Sequence, residues 1–235
     1  IRGFSTNRLL YSMDGIRLNN AIYRGGNIHN IISLDPNAID NTEILFGPGS
    51  VTYGSDAIGA VMSFSSLQHK KNLTDSLEVH GKSNFRFSSA NEEFSGHYNL
   101  NISKKKLSFI SSVSKTRYSD LKMGNFGPTD YLQKYQVKRI NEVDSIVLNG
   151  NQKVQTPSGY EQIHTLHKLR YKANKHVTID YNFHYSKSNE YGRYDRTNPL
   201  NQLPKYAVWN YGPQQWLMNH LAIKNTKKRK LFSAF

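Results

Sequence analysis

The 235-residue sequence contains no cysteine, which excludes disulfide bonds and thiolate metal sites. It also has no apolar run near the roughly 20 residues that a membrane-spanning helix requires, and its mean hydropathy is low, at −0.65. These absences leave a membrane protein open, because the strands of a transmembrane β-barrel need only alternate apolar and polar residues.

Acidic residues are few: 17 Asp and Glu stand against 31 Lys and Arg, which gives a formal net charge of +14. A basic balance of this size can indicate nucleic-acid binding. The basic residues, however, occur in short clusters such as Lys104–Lys106 and Lys227–Lys230, where we expect tight turns. Solvated turn charge is therefore the preferred interpretation, and no nucleic-acid partner is predicted.

Signatures of catalysis are absent as well. The glycine-rich segment 47–54 is not followed by the Gly-Lys-Ser/Thr of a phosphate loop, and no Gly-x-Ser-x-Gly nucleophile elbow occurs. The carboxylates are too scattered for paired-carboxylate catalysis. His164 and His167 are three residues apart and would point to opposite faces of a strand. We predict that the chain is not an enzyme and needs no cofactor or metal ion.

The first third of the chain predicts a small mixed α/β unit. Asp14-Gly15 is a strong two-residue turn signal between apolar runs, and Asp35 followed by Pro36 fits the N-cap and first position of a short helix. The predicted elements, in chain order, are a hairpin over 9–18, a short helix from Asp35, a strand over Thr42–Phe46, a one-turn helix from Ser50 to Tyr53 and a strand over Gly59–Ser65.

From Leu77 onward the pattern changes to two-faced strands. Apolar and polar residues alternate over 77–88, 97–102 and 177–186, which indicates one face in an apolar medium and one in a polar medium. The best runs approach the roughly 9–11 residues of a tilted membrane strand and exceed the usual 5–6 or so of a globular sheet. Further strands are predicted over 105–118, 160–172, 214–225 and 229–235.

The connections between these strands favour a membrane barrel independently. Outer-membrane barrels have short periplasmic turns and longer extracellular loops. The short links are 103–105, 173–175 and 225–227, the long ones 119–159 and 190–213, with 89–92 as a short exception. Aromatic and arginine side chains in the long links suit a recognition surface: Tyr118, Tyr131, Tyr135, Tyr191, Tyr194, Trp209, Tyr211, Arg193 and Arg196.

Residues 42–66 carry the densest motif, T-E-I-L-F-G-P-G-S-V-T-Y-G-S-D-A-I-G-A-V-M-S-F-S-S. This segment resembles the plug domain of TonB-dependent outer-membrane transporters, as do Arg2-Gly3 and the hairpin residues 10–15. The matching residues are Glu43, Gly47, Pro48, Ser50, Tyr53, Gly54, Ala57 and Gly59. Two positions depart from the family pattern: Phe46 stands where many members have an arginine that anchors the plug, and Ala60 replaces a glycine.

The resemblance implies a small α/β plug segment followed by the strands of an antiparallel transmembrane β-barrel, incomplete in this fragment. The expected boundaries are 1–70 for the partial plug domain and 71–235 for the N-terminal portion of the barrel. Plugged barrels of this kind have about 22 strands. We therefore expect an internal fragment, with the TonB box before Ile1 and further strands after Phe235.

The resemblance further implies a receptor in the bacterial outer membrane that imports a scarce ligand by TonB-dependent active transport. Its expected partners are the TonB–ExbB–ExbD complex, a small extracellular ligand and outer-membrane lipid. Structural and coupling roles fall on Arg2, Gly3, Asp14, Gly15, Glu43, Gly47, Pro48, Tyr53 and Gly54. Plug loops of the family reach the outer mouth of the barrel, which makes Tyr23, Arg24 and His29 candidates for ligand contact.

The ligand stays open between an iron-siderophore, haem, cobalamin, a glycan and a peptide. Histidines on the polar faces of predicted strands, at His80, His97 and His184, favour haem slightly. Two alternatives remain. One is an outer-membrane barrel that signals or adheres without transport, and the other is a soluble basic β-protein that binds nucleic acid.

Overall fold

The computed structural model describes residues 9–18, 31–47, 49–54, 57–70, 72–198 and 203–227. Within these ranges, no helix is long and apolar enough to cross a bilayer, a finding that concerns helices alone. The described helices are short: three 3-10 helices over Ile31–Ser33, Pro36–Ala38 and Thr129–Tyr131, and the α-helices α1 (Ser50–Tyr53) and α2 (Tyr194–Thr197).

Four short strands in the first third of the chain form one sheet. They are β1 (Leu9–Met13), β2 (Ile16–Arg17), β3 (Ile39–Phe46) and β4 (Ala60–Ser66), in the spatial order β2-β1-β4-β3. β1 pairs antiparallel with β2 and parallel with β4, which also pairs antiparallel with β3. With α1 between β3 and β4, the predicted order of elements is confirmed.

The local signals at the turn and the short helix act as predicted. At Asp14-Gly15 both residues have positive φ, 50° and 82°, and two left-handed residues in a two-residue connection make the type I′ turn that Asp-Gly favours. Asp35 Oδ1 accepts a 3.0 Å hydrogen bond from the backbone N–H of Asn37, and Pro36 opens the 3-10 helix.

The rest of the described chain contains twelve strands, six of which run for 11 to 13 residues. In chain order they are β5 (Glu78–Ser88), β6 (Glu93–Ser103), β7 (Leu107–Tyr118), β8 (Leu121–Lys122), β9 (Tyr135–Ile140), β10 (Val143–Leu148), β11 (Val154–Gln155), β12 (Tyr160–Lys172), β13 (Val177–Ser188), β14 (Tyr191–Gly192), β15 (Asn210–Tyr211) and β16 (Gln215–Asn225).

The six long strands form one antiparallel sheet in the order β16-β13-β12-β7-β6-β5. Six of the seven predicted strands are thus confirmed, and the seventh, over 229–235, lies outside the described residues. Short turns at 104–106 and 173–176 join strands at one end of the sheet, and the segments 119–159 and 189–214 join them at the other. The predicted alternation of short and long connections is confirmed.

The long segment 119–159 is more ordered than its sequence indicates. It contains the hairpin β9–β10, and the pair of β8 with β11 closes its base. There the Asp120 carboxylate accepts hydrogen bonds from the backbone N–H groups of Ser158 at 2.7 Å and Gly159 at 2.8 Å, and from the Thr156 hydroxyl at 2.8 Å. The base of the segment is therefore fixed next to the ends of β7 and β12.

The six-stranded sheet covers its polar face and exposes its apolar face. Polar side chains only 1–8% exposed are His97, Asn101, Ser112, Ser114, Lys168, Asn182, His184 and Ser186. Apolar or aromatic side chains 38–68% exposed on the opposite face are Val113, Leu169, Tyr181, Leu217, Leu221 and Ile223. This distribution is the reverse of a sheet in a water-soluble protein, where large apolar side chains concentrate in the core.

The four-stranded sheet covers the polar face of the six-stranded sheet. β1 is buried on both sides, because its alternate residues enter two apolar clusters. One cluster consists of Leu9, Tyr11, Met13, Leu34, Ala60, Phe64 and Met218, the last from β16. The other consists of Leu10, Ala57 and Val61, with Tyr53 packed against it. Met218 joins the cores of the two sheets.

Replacing Gly15 by alanine tests the turn between β1 and β2. Gly15 has φ +82° and no atom within 4 Å of the position that a Cβ would take, so the cost is conformational. A left-handed L residue costs about 1–2 kcal/mol, and Gly15→Ala should lower the stability of the four-stranded sheet by that amount. Hydrogen exchange of the β1 amides in the folded protein measures the loss.

The control for this substitution is Gly150→Ala. A Cβ at Gly150 also meets open space, and this glycine has no positive φ. Exchange in β1 should therefore stay unchanged in the control. Equal exchange in both variants would show that the turn does not depend on a left-handed Gly15.

Candidate functional site

Asp14 is the polar centre of the contact between the two sheets. Its side chain is only 8% exposed, although it belongs to a two-residue turn. Asp14 Oδ1 accepts a 2.9 Å hydrogen bond from the backbone N–H of Ser66, and Oδ2 accepts a 2.6 Å hydrogen bond from the Ser66 hydroxyl. The turn after β1 is thereby tied to the end of β4.

Two side chains of the six-stranded sheet complete this arrangement. Lys168 of β12 lies with Nζ 3.4 Å from Asp14 Oδ2 and donates a 2.8 Å hydrogen bond to the Ser66 hydroxyl. His184 of β13 lies with Nε2 at 3.4 Å from the same carboxylate oxygen, a contact at ion-pair distance without the geometry of a hydrogen bond. Lys168 and His184 are each 5% exposed, so water screens the attraction between Asp14 and Lys168 weakly.

The surroundings of Asp14 keep its carboxylate charged. Burial by itself raises the pKa of the Asp14 carboxyl, but the His184 side chain, the charge of Lys168 and the two Ser66 hydrogen bonds lower it further than burial raises it. The net result is a pKa well below the ordinary value of an aspartate. Asp14 is therefore an anion held between two basic side chains of the opposite sheet.

A second polar contact joins the same two sheets at Asp35. Asp35 Oδ2 accepts a 2.6 Å hydrogen bond from the hydroxyl of Ser114 on β7. Ser114 Oγ lies 2.7 Å from His97 Nδ1 on β6, and His97 Nε2 lies 2.9 Å from Asn99 Nδ2. Asp35 is thus both a helix cap and the end of a polar chain that reaches across two strands.

Beyond the Asp14-Gly15 turn, the structure describes four further predicted motif residues, Tyr53, Glu43, Gly47 and Gly54. Tyr53 packs on the cluster of Leu10, and Glu43 is exposed and accepts a 3.2 Å hydrogen bond from the Asn41 side chain. Gly47 and Gly54 both have positive φ, and a Cβ on Gly54 would lie 2.6 Å from Nη1 of Arg17. The positions of these four residues fit structural roles. Asp14 differs from them because it also contacts the opposite sheet.

The remaining predicted site residues lie outside the described residues. They are Arg2, Gly3, Pro48 and the three candidates for ligand contact, Tyr23, Arg24 and His29. Their roles stay predictions.

An aromatic cluster lies at the end of the six-stranded sheet that carries the long segments. The ring centroids of Tyr118 and Tyr160 are 4.8 Å apart, those of Tyr160 and Tyr191 are 6.0 Å apart, and those of Tyr191 and Tyr211 are 5.7 Å apart. The sequence drew attention to three of these residues, and the structure brings them together through Tyr160. Separately, Trp209 stacks edge-on with Tyr206 at 4.8 Å, with Arg196 above its ring at 5.9 Å.

Of the histidines predicted on polar faces, His97 and His184 are buried, whereas the His80 side chain is 46% exposed and lies 3.7 Å from Glu78. His97 contacts Ser114, and His184 contacts Asp14. His164 is 7% exposed on the same face of the sheet, and His167 points to the other face. In the ranges that the structure covers, no three His, Asp or Glu side chains come together in a group that could hold a metal ion.

Known proteins resemble the first part of this chain in sequence and share its fold. Residues 1–61 match the family model of the TonB-dependent Receptor Plug Domain. The first part of the chain, residues 1–61, is therefore a plug domain similar to those of TonB-dependent receptors. Over 63 residues it is 43% identical to the Vitamin B12 transporter BtuB of Vibrio vulnificus (strain CMCP6), an alignment that covers 27% of this chain and 10% of that protein. The four-stranded sheet is accordingly the plug segment.

Solved structures extend the likeness to the long strands. The copper transporter OprC superimposes with a TM-score of 0.60 at 13% identity, over 82% of this chain and 24% of that one. The FrpB iron transporter from Neisseria meningitidis gives a TM-score of 0.59 at 15% identity, over 82% and 26%. At these identities the likeness shows the fold, an α/β plug and antiparallel barrel strands that do not close within the described residues.

The chain spans between a tenth and about a quarter of the length of these relatives. All three are transport proteins, and the prediction that the chain is not an enzyme is confirmed. The sequence did not predict Lys168, His184 or Ser66 as partners of Asp14. Lys168 lies in the middle of a two-faced strand, and this position is the one signal that could have suggested a buried acidic partner.

Replacing Asp14 by asparagine tests the polar contact between plug and barrel strands. The variant leaves Lys168 buried without its counter-charge, and breaking a buried pair in this way costs about 3–5 kcal/mol. We expect the contact to lose about 3 kcal/mol of stability, the lower end of this range, because asparagine still accepts a hydrogen bond from Ser66. Hydrogen exchange of β1 and Ser66 in the intact receptor reports the loosened plug.

Asp144→Asn is the matched control. Asp144 pairs with Arg139 at 2.7 Å in the exposed hairpin β9–β10, and the Arg139 hydrogen bond lowers its pKa as well. Exchange in the plug should not change in this variant.

The pH dependence gives an independent readout. The folded pKa of Asp14 is depressed, so its contribution to plug stability is fully present above its ordinary pKa of about 3.9 and is lost as the pH falls below it. Asp14→Asn should remove this acid-sensitive part. An unchanged acid profile in the variant would show that Asp14 does not carry the contact.

Proposed function

We propose that the whole protein is a bacterial outer-membrane receptor that imports a scarce small ligand by TonB-dependent active transport. The observation that carries this proposal is the plug seated on the polar face of strands whose apolar face is open, with Asp14 held by Lys168 and His184. A lumen filled by a plug must be opened for a ligand to pass. The energising partners are TonB and the ExbB–ExbD complex, reached through a TonB box.

The chemistry of the plug contact suits a reversible displacement. Separating Asp14 from Lys168 in a dry interior is costly, but water that enters the gap hydrates both charges and offsets much of the lost attraction. The same holds for the chain of hydroxyl and imidazole groups between Asp35 and Asn99. Polar contacts of this kind hold the plug in one position and still release it when mechanical work is applied.

The exposed apolar face supports the proposed membrane location. Strands of 11–13 residues reach or exceed the roughly 9–11 that a tilted strand needs to cross the hydrocarbon core. We propose residues 1–70 as the partial plug and 71–235 as the first part of the barrel. Lipid then covers Leu169, Leu221 and Ile223, and the plug fills the polar lumen.

The ligand surface is proposed at the end of the sheet with the long connections. The cluster of Tyr118, Tyr160, Tyr191 and Tyr211 offers large, stiff contact area with hydroxyl groups for hydrogen bonding. Relatives named as vitamin B12, copper and iron transporters carry similar plugs. The ligand class therefore has to come from the loops, and the candidates are cobalamin, ferric siderophores, haem, metal ions, glycans and peptides.

Replacing Leu169 by arginine tests the membrane-facing assignment. An arginine on the lipid face near the bilayer midplane costs about 2–4 kcal/mol, so the variant should assemble poorly into the outer membrane. Folded barrel in isolated membranes, separated by its heat-dependent electrophoretic mobility, measures the effect. Asn84→Arg, on the polar face of β5, is the control and should assemble normally; normal assembly of both variants favours a water-exposed sheet.

Uptake by cells that differ only in TonB tests transport itself. Cells expressing the full receptor should bind one of the labelled candidates with or without TonB, and should accumulate it only with TonB. Surface binding without accumulation in either strain indicates a receptor that signals or adheres. Recovery of the protein in the soluble fraction, with salt-sensitive retention on nucleic acid, overturns the proposal.

A further inference from the structure

A small basic cavity lies at the opposite end of the barrel strands, where the short turns are. It has a volume of about 30 Å³ and sits beneath residues 67–70, which follow the plug. Six basic side chains line it: His69, Lys70, Lys104, Lys106, Arg170 and Lys172. They come from the end of the plug segment, the turn between β6 and β7, and β12.

The cavity walls are held in place by hydrogen bonds between these segments. The backbone N–H of Lys172 donates to Lys106 O at 2.8 Å, which joins the end of β12 to the turn after β6. The side chain of Asn72, 3% exposed, donates to Ser103 O at 3.0 Å and to Ser76 O at 2.9 Å. The basic side chains therefore converge on a preformed space.

Little negative charge offsets these cations. Arg170 pairs with Asp180, which lies 3.5 Å from Lys224 as well. Lys70, Lys104, Lys106 and Lys172 make no ion pair with any carboxylate in the described part of the chain. Like charges at this density repel each other, and an anion between them removes that repulsion.

His69 gives a second and independent observation. It is 8% exposed, its Nδ1 lies 2.8 Å from the Ser108 hydroxyl, and its Nε2 is buried with no hydrogen-bond partner among the described residues. Burial first, and then the charges of Arg170 and Lys168, lower the pKa of His69 to about 4. In the tautomer that accepts from Ser108 at Nδ1, the neutral imidazole carries its proton at Nε2, and a buried donor without an acceptor is unfavourable.

We propose that this cavity binds a phosphate group. A phosphate supplies several acceptor oxygens for lysine and arginine N–H groups and for His69 Nε2, and its charge neutralises the surrounding cations. The small volume excludes a bulky anionic cargo. The group belongs either to free phosphate or to the headgroup of a phospholipid in the adjacent leaflet. The site does not depend on import through the barrel.

The test uses the full receptor purified in an uncharged detergent. Inorganic phosphate is titrated and followed by calorimetry, and in a parallel arm the receptor is placed in nanodiscs with or without phosphatidylglycerol and bound lipid is measured by native mass spectrometry. The double variant Lys106→Gln/Lys172→Gln removes two unpaired lining charges. Its binding should fall about tenfold or more, because two charged hydrogen-bond donors are removed.

Lys105→Gln is the matched control. Lys105 belongs to the same turn, but it pairs with Asp75 at 3.7 Å and does not line the cavity. His69→Gln, which keeps an N–H donor, should weaken binding less than the double lysine variant. Thermal unfolding of each variant checks that the barrel is intact.

The two arms distinguish the source of the phosphate. Saturable binding of inorganic phosphate that the double variant loses and Lys105→Gln keeps supports a site for the free anion. The same pattern for phosphatidylglycerol alone supports a lipid headgroup. Absence of binding in both arms, or equal weakening by Lys105→Gln, overturns the site, and neither result bears on transport.

Discussion

The buried carboxylate of Asp14 is the interaction on which the arrangement of the two sheets depends. It ends β1, holds the end of β4 through Ser66, and faces Lys168 and His184 of the barrel strands. β1 is buried on both faces, on one by the cluster that includes Met218 of β16 and on the other by the cluster of Ala57 and Val61. An apolar surface alone would let the plug slide or tilt on the strands, because such packing is non-directional. A charged group with fixed partners defines one register between the sheets.

The face of the six-stranded sheet that the plug covers is polar. On the proposed transport function the plug has to leave this face, and a dry apolar contact would make that costly, since water would then reach apolar surface. Serine, asparagine and histidine side chains on that face can exchange plug partners for water. The large apolar side chains lie on the outer face instead. This explains why a chain of low mean hydropathy carries so many exposed large apolar residues.

Much of this fold could be predicted from the sequence, for reasons that differ between elements. Asp14-Gly15 determines a type I′ turn locally, and the period of two in residues 77–88 identifies a strand without reference to neighbours. The hairpin β9–β10 was missed because its turn residues, Asn141 and Glu142, are left-handed without a glycine. The partners of Asp14 could not be predicted, since Lys168 is 154 residues away. That pairing depends on strand order and register.

Asp120 has a consequence for how such a protein can diversify. Its three hydrogen bonds and the β8–β11 pair clamp the two ends of the segment 121–155 beside β7 and β12. Changes between these two fixed ends therefore alter neither the register of the long strands nor the position of the plug. Insertions, deletions and wholesale exchange of that segment are thus tolerated by the scaffold. On the proposed function, selection can change ligand recognition in that segment while the plug and the barrel strands stay the same.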